Sequence, residues 1–379
     1  MPITSFSHEY AEMDDHLMTD IREMVDKEDG TCISIIVPTH RIGSDRQGDH
    51  IEVEKAVLLA KNKISAQSPS LADKLLSLLG EMNYDHNREG IGLFVSSAIS
   101  KFIRFPFPVT KKIVIDKFFD LHDLLYTENY CQSYHVLDLS GKEVQLFRGV
   151  MDHMEEITAA DLPRQITEDY EYSKPTHSRT DAGYAHEKSF EKDKSILHQL
   201  RLKKVFQQVD KSLSKYLQSE ATPLLLSGSD KNVSLFNSIT THNKQIVGSI
   251  SENHGGPHTH DMAVAWLKMC AHINEKKSLL IHGIQDKIGD GRAVFGIQQT
   301  WKELLRGKQH MTLLVEKNYT EQGFISAGDR LVLRHEEPDP NRPDVVNEIM
   351  TRILQKNGKV VVVENDMLKD YKRMALLLH

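Results

Sequence analysis

Cysteine is scarce in this chain of 379 residues. Cys32, Cys131 and Cys270 are three in number and far apart, with no CxxC pair among them. That excludes a disulfide framework and a structural zinc site, and it fits a reducing cytoplasm. Long apolar runs are also missing. A membrane helix needs ~20 consecutive apolar residues, whereas Leu224–Leu226 and Val360–Val363 have the length of buried strands. The start of the chain lacks a basic segment followed by an apolar one, so no secretory leader is expected. Positive charge does not dominate: 47 Lys and Arg stand against 54 Asp and Glu, a net of −7. Nucleic-acid contact must therefore come from local patches rather than from a general attraction to polyanions. Neither GxGxxG nor GxxxxGK[ST] occurs after a strand, so nucleotide-binding loops are excluded and no cofactor is expected. No period of 20–50 residues recurs, which excludes a solenoid.

What is present is ordinary globular composition, 39% apolar and 27% charged, with room for two or three domains. The acidity is concentrated in residues 1–30, where nine carboxylates from Glu9 to Asp29 face only Arg22 and Lys27. This reads as a solvated leader helix, or as an acidic arm for a basic partner. Residues 31–130 then alternate strands and helices. Cys32–Pro38 is a β-branched strand, 50–67 and 70–82 are amphipathic helices, and 90–97, 101–107 and 111–118 are strands before a short helix at 121–126. A second unit, 131–255, opens with a hairpin about Ser140-Gly141 and continues with a charged stretch, 158–186, that lacks apolar periodicity. A long helix over 187–218 follows, and then strand, helix and strand, the order of a parallel pair. Gly255-Gly256-Pro257 marks a linker. The third unit, 256–379, has helices at 261–274 and beyond, 296–306 and 342–356, strands at 311–316 and 359–363, and a final helix or coil at 367–378. The whole reads as α/β, a multi-domain α+β arrangement.

Few constellations carry chemistry. His177, Ser178 and Asp181 have the residue types of a nucleophile and its base, but no nucleophile elbow holds them. His254, His258 and His260 are split by Gly-Gly-Pro, which breaks the helical spacing that would converge them on a metal, so no metal site is expected. Lys101, Arg104, Lys111 and Lys112 interleave with Phe102, Phe105 and Phe107, a pattern that suits RNA stacking and equally suits a half-buried strand. On the long helix, Lys204, Gln208, Lys211 and Lys215 form a polar stripe spaced 4, 3 and 4, which suits either a solvated face or contact with a phosphate backbone.

The segment Ile33-Ser34-Ile35-Ile36-Val37-Pro38-Thr39-His40-Arg41, with Gly43 and Gln47, resembles the opening of bacterial proteins related to archaeo-eukaryotic release factors. Relatives of that family include the eukaryotic peptide-chain release factor and the rescue protein Pelota. The resemblance continues at Val205–Leu213, Pro223–Gly228, Gly296–Gln298, Leu304–Gly307, Thr312–Glu316 and Gly358–Val363, and it covers about 31–379. It implies three domains, the middle one RNase H-like and the last similar to kink-turn-binding ribosomal proteins. It also implies binding to the ribosome or to tRNA-like RNA in rescue or stress control, in the cytoplasm, with neither DNA nor membrane as partner. His40, Arg41, Gln47, Arg179, Lys204, Lys211 and Lys215 are the candidate RNA contacts. Release factors carry Gly-Gly-Gln at the tip of the middle-domain loop; this chain has no Gly-Gly-Gln, and its loop reads Thr176–His186. Hydrolysis by that route is not expected. The alternatives are a peptidyl-tRNA hydrolase with a loop chemistry built on His177 or His186, and an adaptor that binds protein.

Overall fold

The structure is a computed structural model, and it describes residues 17–26, 30–40, 44–65, 68–84, 87–139, 144–158, 162, 199–217, 222–251, 259–307, 310–326, 328–334 and 344–379. The Gly-Gly-Pro linker, most of the 158–186 stretch, and with it His177, Arg179 and His186, lie outside the described residues, as does Arg41.

Helix α1 covers residues 17–26. It is not a solvated leader: Leu17, Ile21, Met24 and Val25 recur at helical spacing and are all buried. Burying such side chains stabilises by about 1.5–3 kcal/mol each. The acids on its other face conceal this stripe in a count of charge. Two of them, Asp20 and Glu23, meet Lys101.

Strand β1 (Cys32–Pro38) is buried over nearly its whole length, as its β-branched composition requires. It sits inside an antiparallel sheet of order β3-β2-β1-β4, where β2 is Gly90–Val95, β3 Ser100–Phe105 and β4 Lys112–Asp116. Helices α2 (Asp49–Ile64) and α3 (Pro69–Glu81) set Val53, Val57, Leu71 and Leu75 against Ile33, Ile35 and Val37. A short helix, α4 (His122–Glu128), follows β4.

The second sheet has the order β7-β6-β5-β8-β9, with β5 Ser133–Asp138, β6 Gln145–Val150, β7 His153–Glu156, β8 Leu224–Gly228 and β9 Ile246–Ser251. The first three strands form an antiparallel meander, while β5, β8 and β9 run parallel. Gly149 is needed in β6 because a Cβ there would lie 2.3 Å from the ring of Tyr134. Helix α5, over 199–213, and α6 (Asp230–Asn237) cover one face through Leu202, Phe206, Val209 and Phe236. The other face receives Ala265 and Met269 of α7 (Thr259–His282).

The third sheet has the order β10-β15-β11-β14, with β10 Ala293–Phe295, β11 Met311–Glu316, β14 Lys359–Val363 and β15 Met374–Leu378. Its helices are α8 (Ile284–Gly289), α9 (Ile297–Leu305) and α10 (Val345–Gln355). Here the C-terminal segment departs from the expected helix or coil. β15 is an inner strand, antiparallel to both β10 and β11, and all five of its residues are buried. A short apolar run carries no period that tells strand from helix, so its neighbours decide. The polar segment after β11 contains a small hairpin, β12 (Gly323–Ile325) with β13 (Leu331–Leu333). Asp344 caps α10 by accepting from Val346 N and Asn347 N at 3.0 and 3.2 Å.

Among the described residues the chain forms two compact units. The middle unit spans 132–272, and the larger unit combines the segment up to Cys131 with Ile273–His379. The fold is thus mixed α/β and multi-domain, with separate sheets.

Candidate nucleic-acid interface

In the middle unit α5 has two unlike faces. Leu202, Phe206, Val209 and Leu213 are buried against β8, and Phe206 meets Phe236 edge-on at 5.8 Å. Arg201, Lys203, Lys204 and Lys211 are exposed, as is Lys215 in the turn that follows. The one acid in 199–217, Asp210, points inward: it accepts from Thr240 Oγ1 at 2.6 Å, Thr241 N at 3.1 Å and Thr241 Oγ1 at 2.8 Å. These bonds fix the helix to the loop before β9, and His242 adds to the anchor with its ring 3.2 Å from Ser214 Oγ. The exposed charge of this segment is therefore of one sign. Lys204, Lys211 and Lys215 recur at 7 and 4 residues, which brings them onto one side.

The interleaved cations of the larger unit are arranged otherwise. Lys101 meets Asp20 and Glu23, Lys111 meets Glu52 at 2.7 Å, and Arg104 donates to Asn83 O at 2.8 Å. Lys112 is enclosed, 3.0 Å from Asp120 and 2.9 Å from Asp123. Burial alone would push its ammonium down, but the two carboxylates outweigh burial and hold its pKa above the usual lysine range. Burial works against the charge of Asp120 as well, yet Lys112 and His122 keep it well below the usual carboxylate range. His122 continues the network to Asp344 at 3.3 Å; against the effect of burial, Asp120 and Asp344 raise its pKa. This network holds structure together and offers no open nucleophile.

His40 is held at the end of β1. Its backbone N and its Nδ1 lie 2.9 and 2.8 Å from the two oxygens of Asp49, which also accepts from Asn87 Nδ2 at 2.7 Å. Gln47 is exposed on the 3-10 turn Ser44–Gly48. These two residues belong to the larger unit, whereas Lys204, Lys211 and Lys215 belong to the middle unit.

One cavity of the larger unit, about 440 Å³, was not legible in the sequence. It lies at the start of α9, where Gly296 has φ +76° and provides no side-chain cap, and it is lined by Gln298, Gln299, Tyr319, Glu321, Lys372 and Arg373. Lys372 and Arg373 both adopt left-handed backbone, φ 53° and 65°. Its residues come from four separated segments, so only the Gly-x-Gln-Gln start of α9 and the Lys-Arg doublet could have hinted at it. Arg373 is already committed to Glu316 at 2.8 Å and to Asn318 O at 3.1 Å. With Glu321 also present, the lining is mixed in charge and does not repeat the cationic face of α5.

Among the described residues no group of His, Cys, Asp and Glu could hold a metal ion, and no helix is long and apolar enough to cross a membrane.

Comparisons with known proteins find the following similarities. Residues 133–308 match the model of bacterial archaeo-eukaryotic release factor family 3. No curated protein matches the chain. Similar solved structures include the archaeal translation termination factor aRF1, 13% identical over 97% of this chain and 98% of that one, with a TM-score of 0.24. Archaeoglobus fulgidus Pelota is 12% identical over 66% of each chain, with a TM-score of 0.35. An archaeal Pelota from a model of ribosome-bound Pelota and ABCE1 is 12% identical over 97% of this chain and 94% of that one, with a TM-score of 0.39. Through residues 133–308, which take in the sheet and helices of the middle unit, the chain is related to bacterial archaeo-eukaryotic release factor family 3.

Proposed function

We propose that this protein is a release-factor-like chain of the cytoplasm that engages the ribosome or tRNA-like RNA, in ribosome rescue or stress control, without Gly-Gly-Gln hydrolysis. The observation that carries the reading is the α5 segment, whose exposed charges are all basic and whose single acid is turned into the protein. Lysines present point charges on flexible stems, which suits phosphates rather than base edges. An RNase H-like reading of the middle unit is supported by an antiparallel meander that continues into two parallel strands. The absence of Gly-Gly-Gln from the whole chain argues for binding without the usual water-positioning loop. His40, Arg41, Gln47 and Arg179 are further candidate contacts.

The test is co-sedimentation with purified ribosomes and titration with tRNA across a salt series. Replacing Lys204, Lys211 and Lys215 together by Gln should weaken binding to many RNA sequences alike. It should flatten the salt dependence by up to about one slope unit per lost contact. Unchanged affinity and slope would exclude this face, and binding to a protein in place of RNA would favour an adaptor. A peptidyl-tRNA cleavage activity that is lost in His177→Ala or His186→Ala would favour the hydrolase.

A further inference from the structure

A second cavity of the larger unit, about 310 Å³, lies among the end of β4, the hairpin of β12 and β13, and the start of α10. Its size is at the lower end of the ~300–1,000 Å³ range of small-ligand sites. Asp116, Glu348 and Arg334 share its wall, and Phe324, Ile325 and Val345 give it apolar surface. Lys117 and Asp344 also reach the wall, and both are engaged within the protein. Lys117 Nζ lies 2.8 Å from Glu348 Oε1, while Asp344 accepts from Glu321 N at 2.8 Å as well as from the start of α10.

The other charged groups keep atoms in reserve. Glu348 is only 8% exposed at its side chain. Lys117 Nζ, Arg352 Nε and Arg352 Nη2 all converge on its Oε1, at 2.8, 3.1 and 2.9 Å, and among the described residues no donor reaches Oε2. Asp116 accepts from Lys117 N at 2.8 Å through Oδ1, and its Oδ2 has no donor among the described residues. Burial pushes the Asp116 carboxyl up, the N–H and charge of Lys117 oppose this, and Glu348 adds to the rise; the net direction is up, as expected of a carboxylate short of positive charge. Arg334 packs on Phe324, with Cζ 5.4 Å from the ring centroid, and none of the three carboxylates of the wall pairs with it. A ring face accepts no strong hydrogen bond, so the guanidinium fork stays available to a carboxylate. Acid and base thus share one cavity without neutralising each other. A simple cation would meet Arg334, and a simple anion would meet Asp116 and Glu348. A molecule with both charges answers both.

We propose that this cavity binds a free α-amino acid with an apolar side chain. The ammonium group donates to Asp116 and Glu348, the carboxylate accepts from Arg334, and the side chain lies against Phe324, Ile325 and Val345. The site is formed wholly within the larger unit, so it does not depend on the cationic face of α5.

The test is calorimetric titration of the full chain at neutral pH with L-leucine, L-methionine and L-phenylalanine. Each is compared with its α-amide, which lacks the carboxylate, and its N-acetyl derivative, which lacks the ammonium. At least one free amino acid should bind saturably, at least about tenfold tighter than both of its derivatives, since each loses a charged hydrogen-bonding group. Arg334→Gln should bring the free amino acid to the level of its amide and leave the amide unchanged. Asp116→Asn should weaken the free amino acid and the amide alike and leave the N-acetyl form unchanged. No saturable binding of any of the three amino acids up to about 10 mM, a range in which weak specific sites are read, would overturn the proposal without any variant. An amide that binds as tightly as the acid would overturn it in favour of a pocket for a basic group, and an equally tight N-acetyl form in favour of an anion site. Undiminished amino-acid binding in Arg334→Gln would count against it equally.

Discussion

The middle unit turns its α5 cations outward and its single α5 acid inward, whereas the larger unit meets its strand cations with carboxylates. Arg201, Lys203, Lys204, Lys211 and Lys215 line the exposed side of one segment, while Lys101, Lys111 and Lys112 each sit within ion-pair distance of an acid. Both groups look alike in a residue count. The difference teaches that a cation's task is set by whether the fold encloses it or leaves it at the surface. Paired and enclosed, it secures structure; exposed on a helix face, it is accessible to a polyanion.

The sharpest way to break this comparison is to remove an enclosed cation. Lys112→Met leaves Asp120 and Asp123 facing each other in a buried site, so the larger unit should lose about 3–5 kcal/mol. Urea unfolding followed by hydrogen exchange on separate segments would read the loss, and an unchanged larger unit would show that this network holds nothing together. Next in size is the inward acid of the middle unit. Asp210→Ala removes the acceptor for Thr240 and Thr241 and should cost that unit about 2 kcal/mol in the same measurement.

A pH series should separate the units by sign. His135 of β5 is buried, with no hydrogen-bond partner at Nδ1 among the described residues; burial, and then the nearby Arg148, depress its pKa from 6.5 to about 4. The unfolded chain takes up that proton before the folded one does, so the middle unit should lose stability as pH falls from 6.5 towards 4. The loss between pH 7 and 5 is about 2 kcal/mol. His122 has the opposite linkage. Because its folded pKa is raised, its contribution is fully present below the ordinary histidine pKa and disappears as pH climbs through the raised value. Segment-resolved hydrogen exchange, corrected for intrinsic rates, should therefore give acid slopes of opposite sign for these two histidines. His135→Leu should abolish the slope in the middle unit.

The smallest expected effect is the most discriminating for function. Replacing Lys204, Lys211 and Lys215 by Gln should change middle-unit stability by less than about 0.5 kcal/mol, because these side chains lie off the buried stripe of α5. A large loss would mean that the outward face is structural and not a docking surface.

Several parts of this architecture were legible from residues alone. β-Branched runs placed β1 and β14, and the run from Met311 to Glu316 coincides with β11. The strand-helix-strand order after Pro223 anticipated that β8 and β9 are parallel. Helical periodicity identified both faces of α5, including its cations, because the 3.6-residue repeat is a local property. Partners in space were not legible. Nothing near Lys101 in sequence announces Asp20 and Glu23, and nothing near Lys112 shows that it is enclosed rather than offered to RNA. The acidic count of residues 1–30 hid the apolar stripe of α1. Met374–Leu378 became an inner strand only because β10 and β11 flank it. Local periodicity and β-branched composition are written in the order of the residues. Ion pairs, burial and the cavity at the start of α9 depend on segments as distant in sequence as Lys117 and Glu348, 231 positions apart, and so only the tertiary structure decided them.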